Sequence, residues 1–181
     1  PQGVRSHNER QILWLIRRHG PMPRAALAHA TGLSPQAVTN ITRELIAAGL
    51  LDARGEPQRG KVGQPLLPLA LAAEGALFFG LKVGRRLAEL VLVDFAGQIR
   101  DTRTLPYAWA HPDEIRDFVT HSMALMRAAL TADQRARIAG LGIASPFYLW
   151  DWGVEMVPWR GRDLRAELSG QLDMPVWFEN D

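Results

Sequence analysis

Gln36, Ala37, Thr39, Asn40 and Arg43 lie close together in the run that starts at Ser34, and their types are those that read DNA bases. The amide of Gln or Asn offers one donor and one acceptor, which matches adenine. The Arg fork matches the two acceptors of guanine, and each such pairing is worth roughly 1–3 kcal/mol of discrimination. A second set, Arg59, Lys61 and Gln64, sits in a Gly/Pro/basic stretch from Gly55 to Pro65. There Arg or Lys would pair with phosphates or enter a narrow minor groove. Other chemistries have less to build on. His7, His19, His29, His111 and His121 show no metal-ligand spacing, so they are expected at the surface or at caps, with no metal site. No cysteine is present, which removes disulfides, thiolate zinc sites and cysteine nucleophiles from this chain.

The DNA-reading set needs a helix to present it. Ser6-His7-Asn8-Glu9 has the form of a capping box, and Ile12, Leu13 and Ile16 make an apolar stripe that Gly20-Pro21 ends. Arg17 and Arg18 read as solvated charges at that helix end. Arg24 to Thr31 predicts a second helix with Leu27 and Ala28 inward, and Gly32 supplies the left-handed residue of a tight turn. Ser34 is the expected N-cap of a third helix and Pro35 its first-turn residue, with Val38, Ile41 and Leu45 inward and Gly49 as the stop. Leu50-Leu51 and Leu66 to Leu71 then predict the arms of a hairpin whose tip is the basic stretch. Three helices and such a hairpin make a winged helix-turn-helix over residues 1–72, in which the third helix enters the major groove and the second crosses the backbone.

After a brief connection the period changes to that of strands, which opens a second domain over residues 76–181. Leu77 to Val83, Leu87 to Val93 and Gln98 to Leu105 read as strands, with a turn at Asp94-Phe95-Ala96-Gly97. Pro112 opens a helix with Ile115, Phe118, Val119, Ser122, Met126 and Leu130 on one face. Ile138 to Ala144 reads as a buried strand, Asp163 to Leu172 as a helix and Val176 to Phe178 as a last strand. The order β-β-β-α-β-α-β suits an α/β or α+β lobe with a mixed sheet.

Composition agrees with this division. The 181 residues are 47% apolar and 22% charged, enough to bury cores and too apolar for disorder. Charge is uneven: residues 1–65 hold nine Lys or Arg against four Asp or Glu, whereas residues 66–181 hold twelve against fifteen. The basic excess sits with the DNA-reading helix, where nucleic-acid binding needs it. The longest apolar stretch, Leu66 to Leu81, is broken by Pro68, Glu74, Gly75 and Gly80, so no membrane span is expected. The polar start has no signal-peptide form, and the cytoplasm is the expected location.

The run AALAHATGLSPQAVTNITRELIAAGL, from Ala25 to Leu50, resembles the DNA-binding helices of ROK-family regulators, the group that joins sugar-responsive repressors to sugar kinases. The resemblance continues in order through Gly63-Gln64-Pro65, Gly80-Leu81-Lys82-Val83-Gly84, Val93 to Gly97, Gly140 to Ala144, Pro158-Trp159 and Glu179-Asn180-Asp181. It implies that the second domain is an actin-like, ribonuclease-H-like (sugar-kinase-like) lobe, incomplete here. Such proteins continue past Glu-Asn-Asp into a second lobe that completes the sugar cleft and carries a His/Cys zinc site.

The resemblance also implies a function. In the family's kinases the first strand of the lobe ends in an Asp-x-Gly-x-Thr phosphate loop; this chain has Lys82-Val83-Gly84-Arg85-Arg86, and a lysine in place of the acid would repel the Mg2+ that phosphoryl transfer requires. Asp181 matches the family's catalytic base and Asn180 its neighbouring sugar hydrogen-bonder. Without the phosphate loop, the expected role of this pair is effector recognition. Ser145 to Trp152 stand in place of the family's glycine-rich turn. The aromatic cluster Phe147, Tyr148, Trp150, Trp152 and Trp159 could stack on a sugar or other ring, although clustered aromatics more often pack a lobe or an oligomer contact. Gln64 stands where many members have arginine, which shifts weight in the wing to Arg59 and Lys61. The expectation is a DNA-binding repressor of carbohydrate-metabolism genes, without catalytic residues or cofactor. It would be a dimer or tetramer on an inverted-repeat operator, controlled by a sugar or sugar-derivative effector. The alternative is an active ROK sugar kinase with an added DNA-binding domain; Lys82, Arg85 and Arg86 stand against it.

Overall fold

A computed structural model of the chain describes residues 7–53, 67–146, 151 and 153–180. It contains two compact units, Pro1–Gly75 and Ala76–Asp181.

The first unit begins with α1 (His7–His19), which buries Ile12, Leu13, Leu15 and Ile16. Ser6 of the expected capping box lies outside the described residues. Gly20 ends the helix with φ +80°, donating its N–H to Ile16 O at 2.9 Å. Helix α2 (Arg24–Thr31) buries Leu27 and stops at Gly32, whose φ of +70° lets its N–H reach Ala28 O at 3.0 Å. Helix α3 (Pro35–Ala47) is capped by Ser34, whose hydroxyl accepts from Ala37 N at 3.2 Å. Such a cap is worth about 1 kcal/mol.

One inward position of α3 differs from expectation. Val38, Thr42 and Leu45 are buried, while Ile41 is only partly so. The buried stripe follows the i, i+4, i+7 course of the helix, and Thr42 fits it because its hydroxyl has partners on both sides. It accepts from Arg24 Nε at 2.9 Å and donates to Thr39 O at 3.2 Å. Strands β1 (Leu51–Ala53) and β2 (Leu69–Leu71) pair antiparallel, with Leu51 opposite Leu71. Met22, in the α1–α2 link, exchanges both backbone hydrogen bonds with Leu69 at 2.8 and 3.0 Å, which ties the hairpin to the helices. Ile12, Leu27, Val38, Leu45, Leu51 and Leu69 form the core, each side chain contributing about 1.5–3 kcal/mol by burial.

The second unit is a five-stranded sheet in the order β5-β4-β3-β6-β7. Strands β3 (Leu77–Val83), β4 (Leu87–Asp94) and β5 (Ile99–Pro106) form an antiparallel meander; β6 (Ile138–Ser145) joins β3 in parallel, and β7 (Val176–Asn180) joins β6 in parallel. Alternate residues Leu77, Phe79, Leu81 and Val83 of β3 share a core with Leu90, Leu141 and Ile143 of the neighbouring strands. That core also takes in Ile115, Val119, Met123 and Met126 of α4 (Pro112–Ala128) and Leu164 and Leu168 of α6 (Leu164–Gln171). Leu130, expected on the α4 face, lies past the helix end and packs against the core from the turn. Two further elements, α5 (Ala132–Ala136) and a 3-10 segment Val154–Trp159, have no counterpart in the sequence reading.

The β4–β5 turn shows why an Asp and a Gly bracket it. Asp94 is buried, its carboxylate accepts from Gln98 N at 2.9 Å and from Arg100 Nη1 at 3.1 Å, and Gly97 takes a positive φ of +91°. No helix among the described residues is long and apolar enough to cross a membrane.

Candidate nucleic-acid interface

The exposed side of α3 carries the site. Gln36, Asn40 and Arg43 follow one another at i, i+4 and i+7, and hydrogen bonds join them. Gln36 Nε2 donates to Asn40 Oδ1 at 3.2 Å, and Arg43 Nη2 donates to the same oxygen at 3.4 Å. These are exposed bonds between flexible side chains, so bases can replace them at little cost. Asn40 Oδ1 is the acceptor of both, hence a bidentate pairing of Asn40 with adenine requires that these contacts be exchanged for the base edge.

The other expected contacts are placed differently. The Ser34 hydroxyl is engaged in capping and the Thr39 hydroxyl donates to Pro35 O at 2.8 Å, so both already have backbone partners. Ala37 is half-buried beside them, between the cap and Val38. Arg59, Lys61 and Gln64 lie outside the described residues. The sequence reading missed the Arg24–Thr42 bond, which joins the start of α2 to the middle of α3; no local pattern reports a contact between residues 18 apart. On α1, Arg18 lies over the Trp14 ring at 5.2 Å, a cation–π contact at the surface.

In the second unit, Gly84 and Arg86, at positions that the resemblance compares with a phosphate loop, make hydrogen bonds within the fold. Lys82 is paired across β3–β4 with Glu89 in register. Arg86 Nη1 donates to Ala108 O at 2.7 Å, and its guanidinium lies 5.1 Å from the centre of the Trp109 ring. Gly84 N donates to Leu87 O at 2.9 Å, and Gly84 O accepts from the Tyr107 hydroxyl at 2.8 Å, so the turn is closed on itself. Burial pushes the Tyr107 phenol up to about 12, and the hydroxyl remains a donor at any physiological pH. On the sheet face away from α4 and α6, Gly80, Lys82, Glu89, Val91, Gly142 and Trp177 help line an open groove of about 330 Å³.

Asn180 ends β7 opposite Ser145 of β6, while Asp181 lies outside the described residues. Of the aromatic cluster, Phe147, Tyr148, Trp150 and Trp152 are likewise outside them. Trp159 packs the lobe: it is buried in the core and its indole N–H donates to Ala110 O at 2.6 Å. Of the readings open for the cluster, Trp159 thus takes the one of packing the lobe. No cluster of three His, Cys, Asp or Glu with metal-binding geometry occurs among the described residues.

A charged network joins α4 to α6. Arg162 donates to Asp113 Oδ1 at 2.9 Å and to both oxygens of Glu167, and Arg116 donates to Asp113 Oδ1 at 2.9 Å. The hydrogen bond from Arg162 holds each carboxyl below its usual range and raises the guanidinium further.

Residues 5–52 match a family model described as winged helix-turn-helix DNA-binding. The chain is 32% identical over 92 residues to the transcriptional regulator Mb0495 of Mycobacterium bovis, covering 50% of this chain and 21% of that protein. It is 25% identical over 120 residues to the DNA-binding transcriptional dual regulator NagC of Escherichia coli K12, covering 66% of this chain and 28% of that protein. A counterpart named N-acetylglucosamine repressor in E. coli O157:H7 matches to the same extent. Among solved structures, a ROK-family transcriptional regulator described as a homologue of the E. coli MLC protein superposes with a TM-score of 0.63 at 22% identity. That superposition covers 96% of this chain and 45% of that one. The chain thus spans between 21% and 36% of the length of curated relatives that it matches.

A winged helix-turn-helix followed by a mixed five-stranded lobe of the sugar-kinase-like type defines the class: a DNA-binding domain joined to a lobe of ROK architecture. The chain is similar in fold to a ROK-family transcriptional regulator and in sequence to transcriptional regulators, over part of their length.

Proposed function

We propose that this protein is a sequence-specific transcriptional repressor of carbohydrate-metabolism genes, controlled by a sugar or sugar-derivative effector. The observation that carries the reading is the exposed Gln36–Asn40–Arg43 row on the third helix of a winged helix-turn-helix. Gln36 and Asn40 have the chemistry for adenine and Arg43 for guanine. Arg59, Lys61 and Gln64 are assigned to the wing's contacts with the DNA backbone and minor groove. The relative named for repression and N-acetylglucosamine supports both the sign of the control and the chemical class of effector.

Asn180 and Asp181 are assigned to effector binding, and the lobe to a binding role without phosphotransfer. Lys82 stands where a kinase needs a carboxylate for its metal-nucleotide, and Arg86 is held by Ala108 O and Trp109. Control follows from linkage: the effector favours one arrangement of DNA-binding domains in an oligomer, and operator affinity changes by its differential affinity for the two states. A two-fold dimer, or a tetramer built from such dimers, would read an inverted repeat in the cytoplasm, with half-sites one or more helical turns apart. The test is selection from random duplexes at about 150 mM salt, in the range where phosphate contacts are screened enough to expose base preference. An enriched inverted repeat, lost in an Asn40→Ala plus Arg43→Ala variant, is the expected result; retention without sequence preference would remove the base-reading role of α3.

A further inference from the structure

Arg24 stands outside the base-reading row, yet its geometry is the more constrained. It is the first residue of α2, half-buried, and its Nε donates to Thr42 Oγ1 at 2.9 Å. Thr42 is fully buried in the middle of α3 and its hydroxyl donates to Thr39 O. One of the five guanidinium N–H groups is thus fixed against the recognition helix, and its partner is a neutral hydroxyl. No carboxylate of the described residues lies within ion-pair distance of Arg24. Four arginines of the lobe differ in this: Arg100, Arg103, Arg116 and Arg162 each hold an Asp or Glu at 3.3 Å or closer. A guanidinium keeps its charge at every accessible pH, so partial burial against a neutral partner leaves a cation whose lost hydration no anion of the described chain offsets.

We propose that Arg24 is a phosphate-binding residue of the DNA interface, gripping a backbone phosphodiester beside the groove that α3 enters, with Thr42 as its positioning residue. The proposal rests on the DNA-binding reading above. With α3 in the major groove, the preceding helix of the pair crosses the sugar-phosphate backbone, and Arg24 opens that helix. The Nη1 and Nη2 groups are left for two oxygens of one phosphate, the fork geometry in which arginine surpasses lysine. Such a contact sets register and affinity and carries no sequence information, so its signature differs from that of Arg43.

The test is fluorescence anisotropy of the protein on a mixed-sequence duplex of about 30 base pairs, titrated from about 50 to 200 mM NaCl, with thermal melting of each variant alongside. Arg24→Gln is expected to weaken binding several-fold on any sequence and to lower the slope of log affinity against log salt by about one. Arg24→Lys is expected to restore the slope and only part of the affinity, because it keeps the charge and loses the fork. Thr42→Val, which leaves Arg24 in place without its anchor, is expected to weaken binding less than Arg24→Gln. Wild-type binding with a steep salt slope that Arg24→Gln retains would overturn the proposal and leave Arg24 a tie between two helices, whatever the variant's melting temperature. Should Arg24→Gln fail to fold, unchanged affinity in both Arg24→Lys and Thr42→Val overturns it equally. Absence of wild-type binding at about 50 mM salt would instead sink the DNA-binding reading, and Arg24 with it.

Discussion

The two units treat polar side chains in opposite ways. On α3 the amides of Gln36 and Asn40 and the guanidinium of Arg43 hold one another through long, exposed bonds that a base edge can replace. In the lobe, Arg86 is held by a carbonyl and a Trp ring, and Arg162 grips two carboxylates. Polar groups that bind a partner must leave the partner something to replace, whereas groups that hold a fold are satisfied internally. By that criterion the first unit presents its chemistry outward, whereas Arg86 and Arg162 serve the fold of the lobe.

The contrast breaks most readily at the scaffold of the first unit. Leu27 is completely buried where α2 meets the other helices. Leu27→Ala is expected to cost about 2–5 kcal/mol, read by urea unfolding monitored at helical wavelengths. DNA binding should fall with the folded fraction, because the row on α3 has no geometry without that core. Full stability in this variant would show that the packing around Leu27 relaxes to fill the space.

Arg43→Ala should leave stability within about 0.5 kcal/mol, since the side chain is exposed. It should cost roughly 1–3 kcal/mol of binding on the selected operator and relax preference at one position. On mixed-sequence DNA the loss should be smaller. An equal loss on both DNAs would make Arg43 a phosphate contact and blur the distinction from Arg24. Ser34→Ala sharpens the comparison differently: its hydroxyl caps α3, so about 1 kcal/mol should be lost in unfolding, with base preference retained.

The fold was largely legible where the signals are periodic or local. The alternation Leu77, Phe79, Leu81, Val83 marks β3, and the Gly32–Ser34–Pro35 turn places α3 to the residue. What escaped was non-periodic or distant in sequence. Helix α5 is five residues and the Val154–Trp159 segment is 3-10, both too short to develop a face. Thr42 is polar, so the hydrophobic pattern favoured Ile41 for the core; only the partners Arg24 and Thr39 explain its burial. The packing of Trp159 was open to the sequence, but its buried partner, the Ala110 carbonyl 49 residues away, was not. At the candidate site, the outward types on α3 were readable, whereas the mutual bonding of Gln36, Asn40 and Arg43 required coordinates.

The smallest expected effect tests the lobe side of the comparison. Asp113 and Glu167 have folded-state pKa values held down first by hydrogen bonds from Arg162, then by its charge. A carboxyl depressed on folding adds stability that is present above its unfolded pKa and is lost as pH falls through the folded value. Both groups are substantially solvent-facing, with Asp113 at 45% and Glu167 at 27% side-chain exposure, so screening keeps the contribution small. Arg162→Gln should therefore lower the melting temperature slightly near neutral pH, with the difference from wild type shrinking as pH is taken below the ordinary carboxylate range. Salt should shrink it as well. A melting difference that persists in acid would show that Arg162 supports α4 and α6 through packing of its stem, and that the charges contribute nothing measurable to holding the lobe.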